Sequence, residues 1–441
     1  MQTAWLAIHR NARRSKSRET QDEIKAFELR AHTNLARIAE QLQRKKFKFP
    51  PSKGVPIRKG KARKDGIRPL VVAKVEGRIV QRAVHDVLVT VPALKPYVRT
   101  PYSFGGIKKA KEDMLSAVPA AVQAVLVAIA DGAQYYIRSD ITGFFTKIPK
   151  STVTALVSKA VGPAESEFME LFSQAITVEL ENMEKLAQHK DAFPLYDVGV
   201  AQGNSLSPLL GNILLADFDH ALNATVGVRC LRYIDDFIIL APDKATAETK
   251  YKEALSLLSK WKMTVSNHKM AQGLVTEKFE FLGIQFANGF LRPSTKSRDR
   301  HIGAVRDLFS DSRAAIIECR KTDKLDPRLT YLHTMSKLTG TMVGWGRHYW
   351  FCRDDACFRQ LDEEIEKLYA EYRGFVGSEF RRLSTSKQKW RLLGLPQHHH
   401  MERRPFLWPK KGLPYVSPGS VPLAREPIVS VEIDTDIPPW E

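Results

Sequence analysis

The sequence predicts an α+β fold followed by a helical region. Three observations carry this: apolar segments of helical and strand type alternate from about Ile67 to Phe286, the pattern turns mostly helical beyond Pro293, and nine of the 24 prolines crowd in after about Leu395. With 441 residues, 43% of them hydrophobic, the chain has room for two or three domains and a sizeable core.

Taken in order, Ile24, Phe27, Leu35, Ile38 and Leu42 recur at helical spacing between Thr20 and about Phe47. Thr20 with Glu23 offers a capping box, so one long amphipathic helix is expected there. Next comes RKKFKFPPSKGVPIRKGKARKDGIRPL, whose basic residues, Pro and Gly leave no apolar face to pack, which predicts a mobile cationic hairpin or loop. The most apolar long run, Val118 to Ala130, is too short to span a bilayer and ends at Asp131, so it reads as a buried helix. YYIRSDITGFF reads as a strand leading into a helix capped by Ser151, and GVAQGNSLSPLLGNILLADFD as a small-residue turn running into an apolar helix. Further on, Phe358, Leu361, Ile365, Leu368 and Tyr372 form one helical stripe. The proline-rich end is expected to be extended and wrapped or disordered, not a further domain.

Charge narrows the function. Lys and Arg total 68 against 49 Asp and Glu, a formal charge of +19, which favours a polyanionic partner: nucleic acid first, an anionic membrane second. The N-terminal stretch lacks the order of a secretory signal, and only four cysteines occur, so a reducing cytosol with no disulfide framework is expected. Cys352 and Cys357 lack a second pair or a nearby histidine and read as packing or surface thiols; His398, His399 and His400 read as a solvated loop.

The chemistry is concentrated in RCLRYIDDFIILAP, which sets Asp235 and Asp236 inside an apolar run. A buried carboxylate is costly without positive charge against it, so the pair marks either an exposed hairpin tip or a cation site. RSDITGFFTKIP supplies a third carboxylate, Asp140, at the end of a predicted strand.

In order along the chain, KDGIRPLVVAKVEGRIVQRAV, SDITGFF, AQGNSLSP, YIDDF, VSNHKMAQG and FEFLGIQF resemble the motifs of the reverse transcriptases, in particular the bacterial branch of group II intron, retron and defence-associated enzymes. The resemblance covers roughly Arg58 to Phe286, and GTMVGWGRHYWF is similar to the thumb of group II intron enzymes. It implies a right-hand polymerase in which fingers and palm, an antiparallel palm sheet packed by helices, precede an α-helical thumb. The implied divisions are a helical extension over 1–50, fingers with the start of the palm over 51–139, palm over 140–290, thumb over 291–394 and tail over 395–441.

The resemblance also implies roles. Asp140 and Asp235 would hold two Mg2+ ions, with Mn2+ as a possible substitute and the Ile141 carbonyl as an extra ligand. Asp236 takes a secondary catalytic and metal role, because successive side chains on a strand point oppositely unless a turn redirects them. Lys64 and Arg68 would close over the triphosphate, Gln202 would lie beside the incoming sugar with Gly203 allowing close backbone approach, and Lys269 would donate a proton to pyrophosphate. Phe145 falls at the gate position that disfavours a ribose 2′ hydroxyl, so dNTPs are the expected substrates. Lys59, Lys61 and Arg63 are expected to follow a phosphate backbone.

Ala73 and Gly77 stand where group II intron enzymes typically have Pro and Asp, AQGN stands for PQGG, and no nuclease or RNase H block follows the thumb. The pattern is therefore most like the standalone defence-associated enzymes: an RNA-templated DNA polymerase copying a structured noncoding RNA into a DNA product in the bacterial cytoplasm, with no membrane partner and an oligomer possible. The alternatives are a group II intron-type reverse transcriptase and maturase, a retron-like enzyme making RNA-linked DNA, or a catalytically idle RNA-binding module, which the intact Asp140, Asp235 and Asp236 argue against.

Overall fold

The computed structural model describes residues 1–13, 15, 17–58, 66–106, 113–266, 269–287 and 289–396. Lys59, Lys61, Arg63, Lys64, the histidine run and nearly all of the proline-rich tail lie outside them. Two compact units are present, Met1–Ser310 with Lys337–Tyr372, and Asp311–Ser336 with Arg373–Glu441.

The first unit opens with α1 (Gln2–Arg13), α2 (Arg18–Glu28) and α3 (Ala31–Gln43). The single long helix expected here is broken, because Arg30 leaves the helical region at φ −131°, ψ 32°. The break lets α2 lay Phe27 against Trp5 of α1, ring centroids 4.8 Å apart. Ser17, not Thr20, caps α2, its side chain accepting from the Thr20 N–H. Glu23 accepts instead from the Val75 N–H at 3.0 Å and so serves the start of the next helix.

The basic stretch forms the antiparallel hairpin β1 (Lys53–Arg58) and β2 (Ile67–Val72), with Arg58 opposite Ile67. One correction applies: Phe47 is buried in the core, so this stretch does pack a residue. The helices α4 (Val75–Leu88), α5 (Lys95–Val98) and α6 (Ala117–Ala130) follow. The apolar α6 is buried on one side only. Val122, Val125 and Ala128 join a core while Leu126 and Val127 are about half exposed, because the helix covers one face of a sheet and turns its other side outward.

β3 (Tyr135–Asp140) leads through a short 3-10 turn, Phe144–Lys147, into α7 (Lys150–Val161), so Ser151 lies inside the helix and its cap position, Pro149, has no side-chain bond. After α8 (Ser166–Ile176) and α9 (Met183–Leu186), the helix α10 (Ser207–Leu222) runs through the core and buries even Asn212 and Asp219. β4 (Arg229–Tyr233), β5 (Asp236–Ala241), α11 (Lys244–Ser259) and β6 (Ala271–Leu274) complete an antiparallel sheet of order β4-β5-β3-β6.

The two-residue period of β5 decides what covers each face. Phe237, Ile239 and Ala241 join the core built with Leu210 and Phe218 of α10 and Leu258 of α11. Ile238 and Leu240 point the other way, into a second core with Val122 and Val125 of α6. That second core also takes Phe279 of β7 (Phe279–Phe281) and Phe286 of β8 (Ile284–Ala287), which with β9 (Phe290–Pro293) make a separate three-stranded sheet.

Long helices follow: α12 (Thr295–Thr322), α13 (Tyr331–His348) and α14 (Asp355–Arg382), then the short α15 (Ser386–Leu393). Leu361, Ile365 and Tyr372 are buried on the stripe read from sequence, with the Tyr372 ring stacked on Phe309 at 4.6 Å. Cys352 and Cys357 are buried free thiols, and burial pushes the Cys352 thiol up to about 12. In the second unit Arg320 Nε donates to Glu379 at 2.8 Å, Arg391 pairs with Asp323, and α15 opens with a capping box of Thr385 and Gln388. Among the described residues, no helix is long and apolar enough to cross a membrane.

Candidate active site

β4 and β5 are joined by a two-residue turn, since Tyr233 pairs with Asp236 and leaves Ile234 and Asp235 between them. Ile234 adopts φ +61°, a conformation that costs a β-branched residue about 1–3 kcal/mol. Surrounding structure holds it there. Arg232 donates from Nη1 to the Ile234 carbonyl at 3.0 Å and to Asn212 Oδ1 at 3.1 Å, and grips Asp219 through Nε and Nη2 at 2.8 and 2.6 Å. Asn212 Nδ2 in turn donates to the Gly105 carbonyl at 2.9 Å. Gly105 lies so close to the turn that a Cβ there would stand 2.5 Å from Ile234 Cγ1. Sequence reading missed Arg232, Asp219, Asn212 and Gly105. For Arg232 and Asp219 the available signal was charge next to apolar runs, in CLRYI and NILLADFD.

The turn carries Asp235 off the strand, and this brings all three aspartates together. Asp140 pairs in register with Asp236, Ile141 donates its N–H to the Asp235 carbonyl at 2.9 Å, and Ser266 N donates to the Asp140 carbonyl at 2.9 Å. As a result one ligand atom from each of Asp140, Asp235 and Asp236 lies within 4.8 Å of the others. Asp236, expected to be secondary, sits in the same cluster. Among the described residues no other group of three or more His, Cys, Asp or Glu comes close enough to hold an ion.

Electrostatics show what the cluster lacks. Burial, then the neighbouring Asp235 and Asp140 charges, pushes Asp236 up to about 6. Burial and the Asp140 charge likewise raise Asp235, against which Lys269 and Arg68 act in the opposite direction. Lys269 Nζ bonds both Asp140 oxygens at 2.9 Å. A set of half-buried carboxylate oxygens short of positive charge suits a hard divalent cation such as magnesium, so the residues fit the ions the resemblance implies.

The remaining site residues are tied in through backbone. Val71 of β2 donates to the Gln202 carbonyl at 2.9 Å, which sets the AQGN loop beside the strand bearing the exposed Arg68. Gly203 has φ +112°, and a Cβ there would lie 2.8 Å from the Val71 carbonyl, so only glycine allows this approach. Val200 donates to the Phe145 carbonyl at 2.7 Å, anchoring the half-buried Phe145 to the same loop. Phe144 beside it is buried against Gly211 of α10.

The family described as reverse transcriptase (RNA-dependent DNA polymerase) matches residues 57–286, a span holding all of these site residues. No curated protein matches the chain. Among solved structures the chain is similar to apo telomerase from Candida tropicalis truncated from the C-terminal domain, at 16% identity and TM-score 0.39, covering 56% of this chain and 55% of that one. It is also similar to apo telomerase from the same organism, at 14% identity and TM-score 0.43, covering 78% and 69%. The chain thus spans about half the length of the first of these. The fold is that of a right-hand polymerase, α+β with an antiparallel palm sheet packed by helices, and with over half its length matched the chain belongs to the reverse transcriptases, the RNA-dependent DNA polymerases.

Proposed function

We propose that this chain extends a primer with dNTPs on an RNA template, and that its template is a structured noncoding RNA copied in bacterial antiphage defence. The observation that carries the polymerase reading is the convergence of Asp140, Asp235 and Asp236 at the end of β3 and the β4–β5 turn. Asp140 and Asp235, with Asp236 and the Ile141 carbonyl beside them, would hold two magnesium ions. When bound, such ions supply charge stabilisation for the attacking and leaving oxygens of an in-line phosphoryl transfer.

The chain's own residues take up the rest. Arg68, with Lys64, binds the triphosphate, its guanidinium donating paired charge-assisted bonds. Gln202 and Gly203 bring backbone and amide against the incoming sugar, and Phe145 crowds its 2′ carbon. Lys269, whose Nζ bonds Asp140 at 2.9 Å, gives up a proton to the departing pyrophosphate in this reading. The divisions into fingers over 51–139, palm over 140–290 and thumb over 291–394 belong to this reading.

Support for the defence-associated branch comes from the departures at Ala73, Gly77 and AQGN from the group II intron pattern. A group II intron-type reverse transcriptase and maturase, or a retron-like enzyme, is the competing reading. The test is to sequence the nucleic acid that copurifies with the protein and to assay primer extension on it with magnesium. One dedicated noncoding RNA and its DNA copy support the proposal; intron RNA or a branched RNA–DNA product replaces it with the competitor.

A further inference from the structure

A cavity lies away from the aspartates, between the segment after α3 and the helices α4 and α8. Its volume is about 440 Å³, within the roughly 300–1,000 Å³ usual for small-ligand sites. Ala73 and Gly77, two of the positions where this chain departs from the group II intron pattern, both line it. A Cβ on Gly77 would stand 3.6 Å from the Phe49 ring, so a larger residue there would narrow the space beside that ring. The small residues keep the cavity open.

Its lining divides by chemistry. Lys46 and Lys48 stand at it without an ion pair among the described residues, whereas their neighbour Lys45 is paired with Glu167. Phe49 offers a half-buried aromatic wall, braced edge-on by Phe47 at 5.1 Å. At the floor Gln81 is more than nine-tenths buried, and its Nε2 donates to the Ala175 carbonyl at 3.2 Å. That bond fixes the orientation of the amide. Its Oε1 takes no hydrogen bond among the described residues and remains as an acceptor for an occupant. Gln174 adds a second amide at the wall.

We propose that this cavity binds one nucleoside phosphate: the base stacks on Phe49 and donates an N–H to Gln81 Oε1, and the phosphate meets Lys46 and Lys48. Aromatic stacking with lysines on the phosphate is how single-stranded nucleic acid is held, and an apolar ligand would leave the Gln81 acceptor and both ammonium groups without use. The source of the nucleotide is either an unstacked residue of an RNA strand or a free nucleotide. The site is also wired to the polymerase loop, since Asn204 of AQGN donates to the same Ala175 carbonyl at 3.0 Å.

Photolabelling tests this, without magnesium or dNTPs, using 8-azido-AMP in one arm and a short oligoadenylate carrying one 8-azidoadenosine in the other. The expected result is label on the peptides containing Phe49 or Gln81. Phe49→Ala, or Lys46→Glu with Lys48→Glu, should weaken oligoadenylate binding about tenfold. Gly77→Asp should abolish labelling with the melting temperature unchanged, because the glycine stands at ordinary contact distance and the new carboxylate would occupy the cavity and claim its lysines. Label displaced from the oligonucleotide by excess AMP names the free nucleotide as ligand, and label that persists names the strand. Label only elsewhere, or a folded Gly77→Asp that binds and labels as wild type does, overturns the proposal. Asp235→Asn should label normally, so failure here is separable from failure of the polymerase reading.

Discussion

Arg232 and Asp219 form a fully buried ion pair through two hydrogen bonds of 2.8 and 2.6 Å, and the same guanidinium holds the carbonyl of Ile234, next to Asp235 of the aspartate cluster. Because neither charge reaches water, removing one strands the other, at a cost of about 3–5 kcal/mol. Asp219→Asn should therefore lower the melting temperature sharply and extension activity with it. Gly105→Ala displaces the same turn: its Cβ would press on the Ile234 side chain and backbone, so kcat should fall more than tenfold, with a lower melting temperature, while the dNTP KM and RNA binding hold. Steady-state primer extension with a thermal melt reads both, and an unchanged kcat in a folded Gly105→Ala would show that the turn tolerates displacement.

Asp235→Asn combined with Asp236→Asn should abolish polymerisation while folding and RNA binding stay near wild type, since each change removes charge but little volume. Primer extension beside a thermal melt decides it. Retained extension would remove the assignment.

Asp236 also predicts a pH dependence. Its carboxyl is raised from 3.8 to about 6, so the folded state holds this proton more tightly than the unfolded chain does. Its contribution to stability is fully present below 3.8 and is lost as pH rises through about 6. In a chelator, Asp236→Asn should raise the melting temperature by a few degrees at neutral pH and by nothing near the low end of that window. A gain independent of pH would place the strain elsewhere.

Phe145→Val should admit ribonucleotides, because the ring is proposed to exclude the 2′ hydroxyl by contact and not by charge. The ratio of dNTP to rNTP incorporation efficiency should fall at least tenfold, a loss of over about 1.4 kcal/mol of discrimination. An unchanged ratio assigns the gate to another residue.

Replacing Lys59, Lys61 and Arg63 with Ala should weaken unrelated RNAs by similar factors. Three lost phosphate contacts flatten the slope of log affinity against log salt by about two to three. Titrations of a cognate and an unrelated RNA at several salt concentrations measure this. Loss confined to the cognate RNA would make the segment a specificity element.

The amino-acid order by itself determined what depends on neighbours along the chain. The apolar run around Asp235 and Asp236 marked a hairpin tip or a cation site, the stripe ending at Tyr372 marked a helix, and the motif order around Asp140 and YIDDF marked the reverse transcriptase resemblance. Only the tertiary structure decided what depends on groups that folding brings together. The break at Arg30 was invisible because no Gly or Pro marks it, and the contact of Phe27 with Trp5 that it allows exists only in the folded chain. The shared cluster of Asp236 with Asp140 and Asp235 depends on the positive φ of Ile234, a strain that no propensity favours. That strain persists because Arg232, itself affordable in the core only when Asp219 arrives from α10, holds the turn from beneath, and charge compensation of this kind exists only once the chain has folded.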